Sequence, residues 1–248
     1  MQLQLASDLH LEQGCTSNYC SIIKPAADIL IMAGDVAYAT HAQIPPFMRK
    51  MSEAFEKVLL VPGNHERYSH DLSMSMTEMD MHLHGVLQEF SNVSLLNNKV
   101  EEWKGVKFVG STLWSHIPQQ DRYEVSTCIN DYRYILDGTG RAITPSYTSG
   151  LHRDAVAFLE KHCDTNSVVI THHCPQTTRT SHPRYAGSPT NCAFSTDVSL
   201  AQMPQLWVSG HTHFNHDFVK AGTRFISNQY RNENWCMPYS ASKTVTIA

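Results

Sequence analysis

Residues 28–35 read Asp-Ile-Leu-Ile-Met-Ala-Gly-Asp. A continuous apolar run closed by glycine predicts a strand over 28–33 that is buried on both faces. The glycine allows a tight turn, and Asp35 follows it. Further on the pattern returns: residues 57–61 (Lys-Val-Leu-Leu-Val) predict another strand, ending at Pro62-Gly63-Asn64-His65. Between the two, Pro45 and Pro46 open a stretch in which Phe47, Met48, Met51 and Phe55 recur at helical spacing. Strand, helix, strand is the rhythm of a parallel α/β sheet. Open sheets of that kind build their sites at the carboxyl ends of the strands.

The same relation recurs on either side. Residues 2–6 alternate and predict a strand ending before Asp8 and His10. Residues 167–171 predict one ending at His172-His173, and residues 206–209 one ending at Gly210-His211-Thr212-His213. Helical spacing covers 71–90 and 150–163. Further strands are predicted over 93–96 and 106–113. Strands over 214–220, 223–227 and 243–247 read as antiparallel, with Ala221-Gly222 as a turn. Two stretches resist assignment: the polar and aromatic residues 113–149, and a loop over 174–200 with Pro175, Pro183, Gly187 and Pro189. Loops that long in a compact chain carry function or stay disordered.

Composition narrows the class. The 248 residues are 42% hydrophobic with no linker-like segment, which predicts one domain over 1–248. A formal charge of -4 provides no broad basic field, so strong nucleic-acid binding is not expected. Seven cysteines, an odd number without a Cys-x-x-Cys pair, argue for free thiols in a reducing compartment. The first residues show no signal peptide, and no apolar run approaches the ~18 residues of a membrane span. The expectation is a cytoplasmic protein with no membrane association.

Carboxylate, imidazole and amide oxygen together suit two divalent transition metal ions (Mn, Fe, Zn or Co) better than calcium. Two such ions about 3.5–4 Å apart, sharing a carboxylate, clamp an in-line displacement at phosphorus, with a bridging hydroxide as nucleophile. Asp8 and His10 lie two apart, so on an extended strand end they point the same way, as do His211 and His213. Asn64 and His65 are adjacent, which suits one ligand and one proton donor.

Taken together, Ser7-Asp8-Leu9-His10, Gly34-Asp35, Gly63-Asn64-His65-Glu66, Thr171-His172-His173 and Gly210-His211-Thr212-His213 resemble the calcineurin-like metallophosphoesterase superfamily. The resemblance runs through nearly the whole chain. It implies a four-layer αββα sandwich, two mixed β-sheets flanked by helices. It also implies that Asp8, His10 and His213 hold one metal, that Asn64, His172 and His211 hold the other, and that Asp35 bridges them. His65 would stand beside the leaving group. His172 and His173 compete for one position; His172 follows its strand directly and is preferred, leaving His173 behind the ligands or facing substrate. Glu66 is expected to brace a loop.

The chain departs from the protein serine/threonine phosphatases, whose signature after Gly-Asp supplies an Asp and an Arg. Here the run is Val36-Ala37-Tyr38-Ala39. The residue that orients the acid histidine must therefore come from elsewhere. A finer resemblance, through Asn130-Asp131-Tyr132-Arg133, the segment 182–189 and Asn228, is to small stand-alone bacterial-type members. Arg133 and Arg184 offer forks for phosphate oxygens, and His182 lies in the long loop, so these join His173 as candidate substrate contacts. The expected activity is hydrolysis of a small-molecule phosphate ester, with a diester of nucleotide-like character preferred. A phosphomonoesterase and a silent scaffold on the same fold are the alternatives.

Overall fold

Alternate residues of the buried strands face different layers. Leu3, Leu5, Ile29, Ile31 and Leu59 pack inward against Phe108, Val168, Ile170, Leu206 and Val208. Their neighbours Leu30, Met32, Val58 and Leu60 face outward, against Phe47, Met48, Met51, Met79, Leu83 and Leu87. Each such side chain contributes about 1.5–3 kcal/mol on burial, so apolar residues are favoured at every position of these strands. This is why the run at 29–32 shows no alternation.

The computed structural model describes residues 1–14 and 19–247. Its strands are β1 (Gln2–Ala6), β2 (Ile29–Met32), β3 (Lys57–Leu60), β4 (Val93–Leu95), β5 (Lys99–Trp103), β6 (Val106–Ser111), β7 (Val168–Thr171), β8 (Leu206–Val208), β9 (Asp217–Lys220), β10 (Thr223–Ile226) and β11 (Thr244–Thr246). Its helices are α1 (Tyr19–Ile22), α2 (Ile44–Ala54), α3 (Met76–Leu87), α4 (Arg122–Cys128), α5 (Asp131–Tyr134) and α6 (Pro145–His162). One sheet has the order β11-β1-β2-β3-β4 and the other β5-β6-β7-β8-β10-β9. Both are mixed: β1 to β4 run parallel with β11 antiparallel, and β6, β7, β8 and β10 run parallel between antiparallel β5 and β9. Helices α2 and α3 cover the outer face of the first sheet, and Ala155 and Leu159 of α6 cover that of the second. These are the four layers expected.

The structure corrects several boundaries. Helix α3 starts at Met76, where Ser75 and Glu78 form a capping box, not at 71. Helix α6 starts at Pro145, with Thr144 as its cap, not at 150. Strand β5 was not anticipated, and β11 joins the first sheet rather than β9 and β10. The hairpin turn at Ala221-Gly222 is as expected, both residues lying at positive φ. Part of the unassigned stretch, with Trp114, Ile117, Val125, Tyr132, Ile135 and Ile143, forms a small apolar cluster of its own around Tyr68. Cys128, Cys163, Cys174, Cys192 and Cys236 are free thiols; Cys15 and the side chain of Cys20 lie outside what is described. No helix among the described residues is long and apolar enough to cross a membrane.

Candidate metal centre

At the carboxyl end of β1 the chain must turn sharply to clear β2. Asp8 and His10 take positive φ values of 55° and 46°. Asp35 after β2, and His211 and His213 after β8, do the same at 55°, 68° and 51°. Each such residue costs on the order of 1–3 kcal/mol. Backbone hydrogen bonds hold the turns: Asp8 N–H donates to Gly34 O, His10 N–H to Asp35 O, and Gly210 N–H to His172 O. Close packing at the glycines completes the cage. A Cβ on Gly63 would overlap Asp35 Oδ1 and His172 Nε2, and one on Gly210 would lie 2.6 Å from Asp8 Oδ2.

Three groups of ligand atoms converge: Asp8, His10 and His213; His10, Asp35 and His65; and Asp35, His172 and His211. Asp35 takes part in two of them through different atoms. Its Oδ2 is 3.6 Å from His10 Nε2, and its Oδ1 is 3.3 Å from His172 Nε2. His10 Nε2 and His213 Nε2 stand 3.3 Å apart, and Asp8 Oδ1 is 3.4 Å from His213 Nε2. Asn64 Oδ1 lies 3.0 Å from His172 Nε2.

These contacts fit divalent cations. His172 Nδ1 donates to Ala33 O at 2.8 Å, so in the neutral ring Nε2 carries a lone pair. That lone pair faces two oxygens, Asn64 Oδ1 and Asp35 Oδ1, which accept rather than donate. Such a cluster is satisfied only by a positive charge, whether a proton or a metal. Burial disfavours the proton, but Asp35 beside the ring lifts His172 to about 9. Asp8 Oδ2, against Gly210, is buried with no hydrogen-bond partner, an acceptor left open for coordination. Asp35 sits well below the usual carboxylate range despite burial, held there chiefly by His172.

The profile of the calcineurin-like phosphoesterase family matches residues 3–215. The chain belongs to this family. It is accordingly a metal-dependent hydrolase of phosphoric esters, and its candidate ligands are the converging histidines and aspartates. A relative, described as uncharacterized protein L509 of Acanthamoeba polyphaga mimivirus, is 31% identical over 92% of this chain and 90% of its own length. Among solved structures, the phosphopantetheinyl hydrolase of Mycobacterium tuberculosis superposes with a TM-score of 0.69 at 20% identity, over 96% of this chain and 89% of that one. It shares the fold.

Around the cage, three carboxylates hold the calcineurin-like set in position. Glu12 Oε1 accepts from His10 Nδ1 at 2.9 Å and from His65 Nδ1 at 3.0 Å. Burial works against its charge, but the two imidazoles bring Glu12 down to about 2. His65 is raised above the ordinary imidazole value: burial opposes this, and Asp35 and Glu12 outweigh it. Asp131 Oδ1 accepts from Asn64 Nδ2 at 2.7 Å and from Tyr68 OH at 2.6 Å, which turns the amide oxygen of Asn64 toward His172. Glu66 takes the bracing position expected of it, accepting from the backbone N–H of Asp35, Val36 and Gly63.

The candidate substrate contacts separate. His173 is buried, bonded to Ser115 Oγ at 2.9 Å with its ring centroid 4.0 Å from that of His211; it lies behind the cage and does not face solvent. Arg133 turns away and donates to Thr127 O. Arg184 is at the rim, paired with Glu233 at 2.5 Å and with the Tyr185 hydroxyl. His182 lines a second cavity away from the metal-ligand groups. Beside the cage is a cavity of about 280 Å³ whose wall includes His211, His213, Phe194, Tyr185 and Glu233.

Proposed function

We propose that this calcineurin-like protein is a phosphodiesterase acting on small, nucleotide-like diesters. Asp8, His10 and His213 would hold one divalent transition ion (Mn, Fe, Zn or Co) and Asn64, His172 and His211 the other, with Asp35 shared. When bound, the ions supply positive charge for the phosphoryl oxygens and acidity for the attacking water. Asp35 keeps the two ligand sets at one separation through its two oxygens. His65 donates the proton to the departing oxygen, and its raised pKa favours the protonated ring needed for this. Glu12 fixes the orientation of that ring and of His10.

The observation that carries the diester preference is the wall of the 280 Å³ cavity. Among its described residues it has one carboxylate, Glu233, and no lysine or arginine. A monoester dianion brings one more negative charge than a diester, and this wall adds no unpaired cation to meet it, Arg184 at the rim being paired with Glu233. The free thiols support a cytoplasmic, reducing setting. The test is a metal-reconstituted sample with roughly two ions per chain, assayed on bis(p-nitrophenyl) phosphate and p-nitrophenyl phosphate. Higher kcat/KM on the diester is expected. A metal-loaded protein that prefers the monoester removes the diester reading.

A further inference from the structure

A second cavity, of about 590 Å³, adjoins the one beside the cage; Ser181 and Asn191 line both. Its wall combines aromatic and apolar side chains, Phe214, Phe218 and Met237, with His216 and the exposed Arg179. His216 is 3% exposed, and its Nδ1 lies 3.3 Å from Phe214 O and 3.2 Å from Ser227 Oγ. The carbonyl can only accept, so the proton is on Nδ1. Nε2 is then a buried acceptor, and it has no partner. Arg179 stands in the left-handed region at φ 68° with its guanidinium 4.9 Å from the centre of the Phe218 ring. It makes no ion pair or hydrogen bond among the described residues. The carboxylate on the same wall, Asp217, is already engaged by Arg224 through two 2.8 Å hydrogen bonds, so it does not satisfy Arg179.

We propose that this cavity is the subsite for the distal half of the substrate, and that this half is a nucleotide carrying a second phosphate. An apolar wall with a few uncommitted polar groups is the ordinary make-up of a small-molecule site. The flat ring of a base packs against Phe214, beside the buried His216, and the second phosphate meets Arg179 as a fork matched to its oxygens. Ser181 and Asn191, at the junction, face the sugar that joins the distal half to the reacting phosphate. The inference deepens the phosphodiesterase reading and rests on it.

Three diesters with one leaving group test it: bis(p-nitrophenyl) phosphate, thymidine 5′-(p-nitrophenyl phosphate), and the same thymidine ester with a 3′-phosphate. Release of p-nitrophenolate is constant, so differences report the distal half. KM is expected to fall at each step, by about tenfold for the added phosphate. Arg179→Ala should remove the gain from the phosphate and Phe214→Ala the gain from the nucleoside, so that the KM ratio across the corresponding step of the series approaches one in each variant. Equal losses on all three esters, or no gain along the series, overturn the proposal. Calorimetric titration of the metal-free protein with thymidine 3′,5′-bisphosphate separates it from the catalytic reading. Binding that is weakened tenfold by Arg179→Ala supports the subsite even where no diester is cleaved; absence of binding in the unsubstituted protein counts against the subsite alone.

Discussion

The first sheet brings carboxylates to the site, and the second brings only imidazoles. Asp8, Glu12, Asp35 and Glu66 all follow β1, β2 or β3, together with Asn64 and His65. His172, His173, His211 and His213 all follow β7 or β8. The two sides differ in how they tolerate burial. On the first, neighbouring imidazoles keep Asp8, Glu12 and Asp35 below their ordinary values against burial. On the second, burial drives His211 down to about 3, so it is held as a neutral donor ready for a metal; His173, behind the cage, is lowered as well, and only His172, beside Asp35 of the first sheet, is raised, to about 9. The negative charge that would balance two dications thus comes from one sheet, and the soft orientation of the cage from the other.

Removing the metals is the strongest way to break this comparison. Chelation should abolish hydrolysis and lower the melting temperature. A site loaded at 100 times its dissociation constant contributes about 2.7 kcal/mol. Asp35→Asn comes next. It stands between both ligand sets, so we expect a loss of about 10³-fold or more in kcat and metal analysis showing both ions diminished. His213→Ala, from the imidazole side, should lower activity by less and leave one ion per chain nearly intact. Equal loss of both ions in the two variants would dissolve the distinction between the sheets. Glu12→Gln keeps the shape of its fork but weakens it, and about 10–100-fold is expected. The deficit should be larger for alkyl than for p-nitrophenyl leaving groups, because only the former need the proton from His65. A uniform deficit would limit Glu12 to His10.

The smallest effect concerns acid stability of the metal-free protein. Burial holds His216 at about 4, while in the unfolded chain it returns to the ordinary value of about 6.5. The unfolded state therefore binds the extra proton first. Stability is complete above about pH 6.5 and falls as the pH drops toward 4, by about 3 kcal/mol for this group. Glu12, lowered to about 2, behaves in a later window: its contribution is present above about 4.5 and lost as the pH falls through 2. Acid should thus loosen the imidazole side before the carboxylate side. Denaturant titrations at pH 7, 5 and 4 on the original protein and His216→Gln read this directly, and identical slopes would remove it.

Much of the cage was legible because its residues follow strands whose runs are hard to mistake. Leu30 and Met32 face one layer and Ile29 and Ile31 another, and Asp35 follows directly. Glu12 was missed because it belongs to no spacing motif; it matters only once His10 and His65 are seen to share one oxygen. Asp131 falls within the finer resemblance, but its hold on Asn64 depends on a contact across 67 positions. Strand β5 eluded pattern reading because Lys99-Val100-Glu101-Glu102-Trp103 is only half buried and lacks a clean alternation. Arg133 and Arg184 illustrate the limit for surface cations: a fork suited to phosphate is equally suited to Thr127 O or Glu233, and only the fold chooses.

Strand β1, which leads into Asp8 and His10, is flanked by β2 on one side and by β11 on the other, with Gln4 paired to Thr244. During synthesis the outer neighbour of Gln4 follows it only 240 residues later. At about 5–20 residues per second, that edge waits roughly 10–50 s with its backbone groups unmatched. The half of the cage that supplies most of the charge is thus made first and closed last, and the time spent open is when a chaperone or a stray strand would find it.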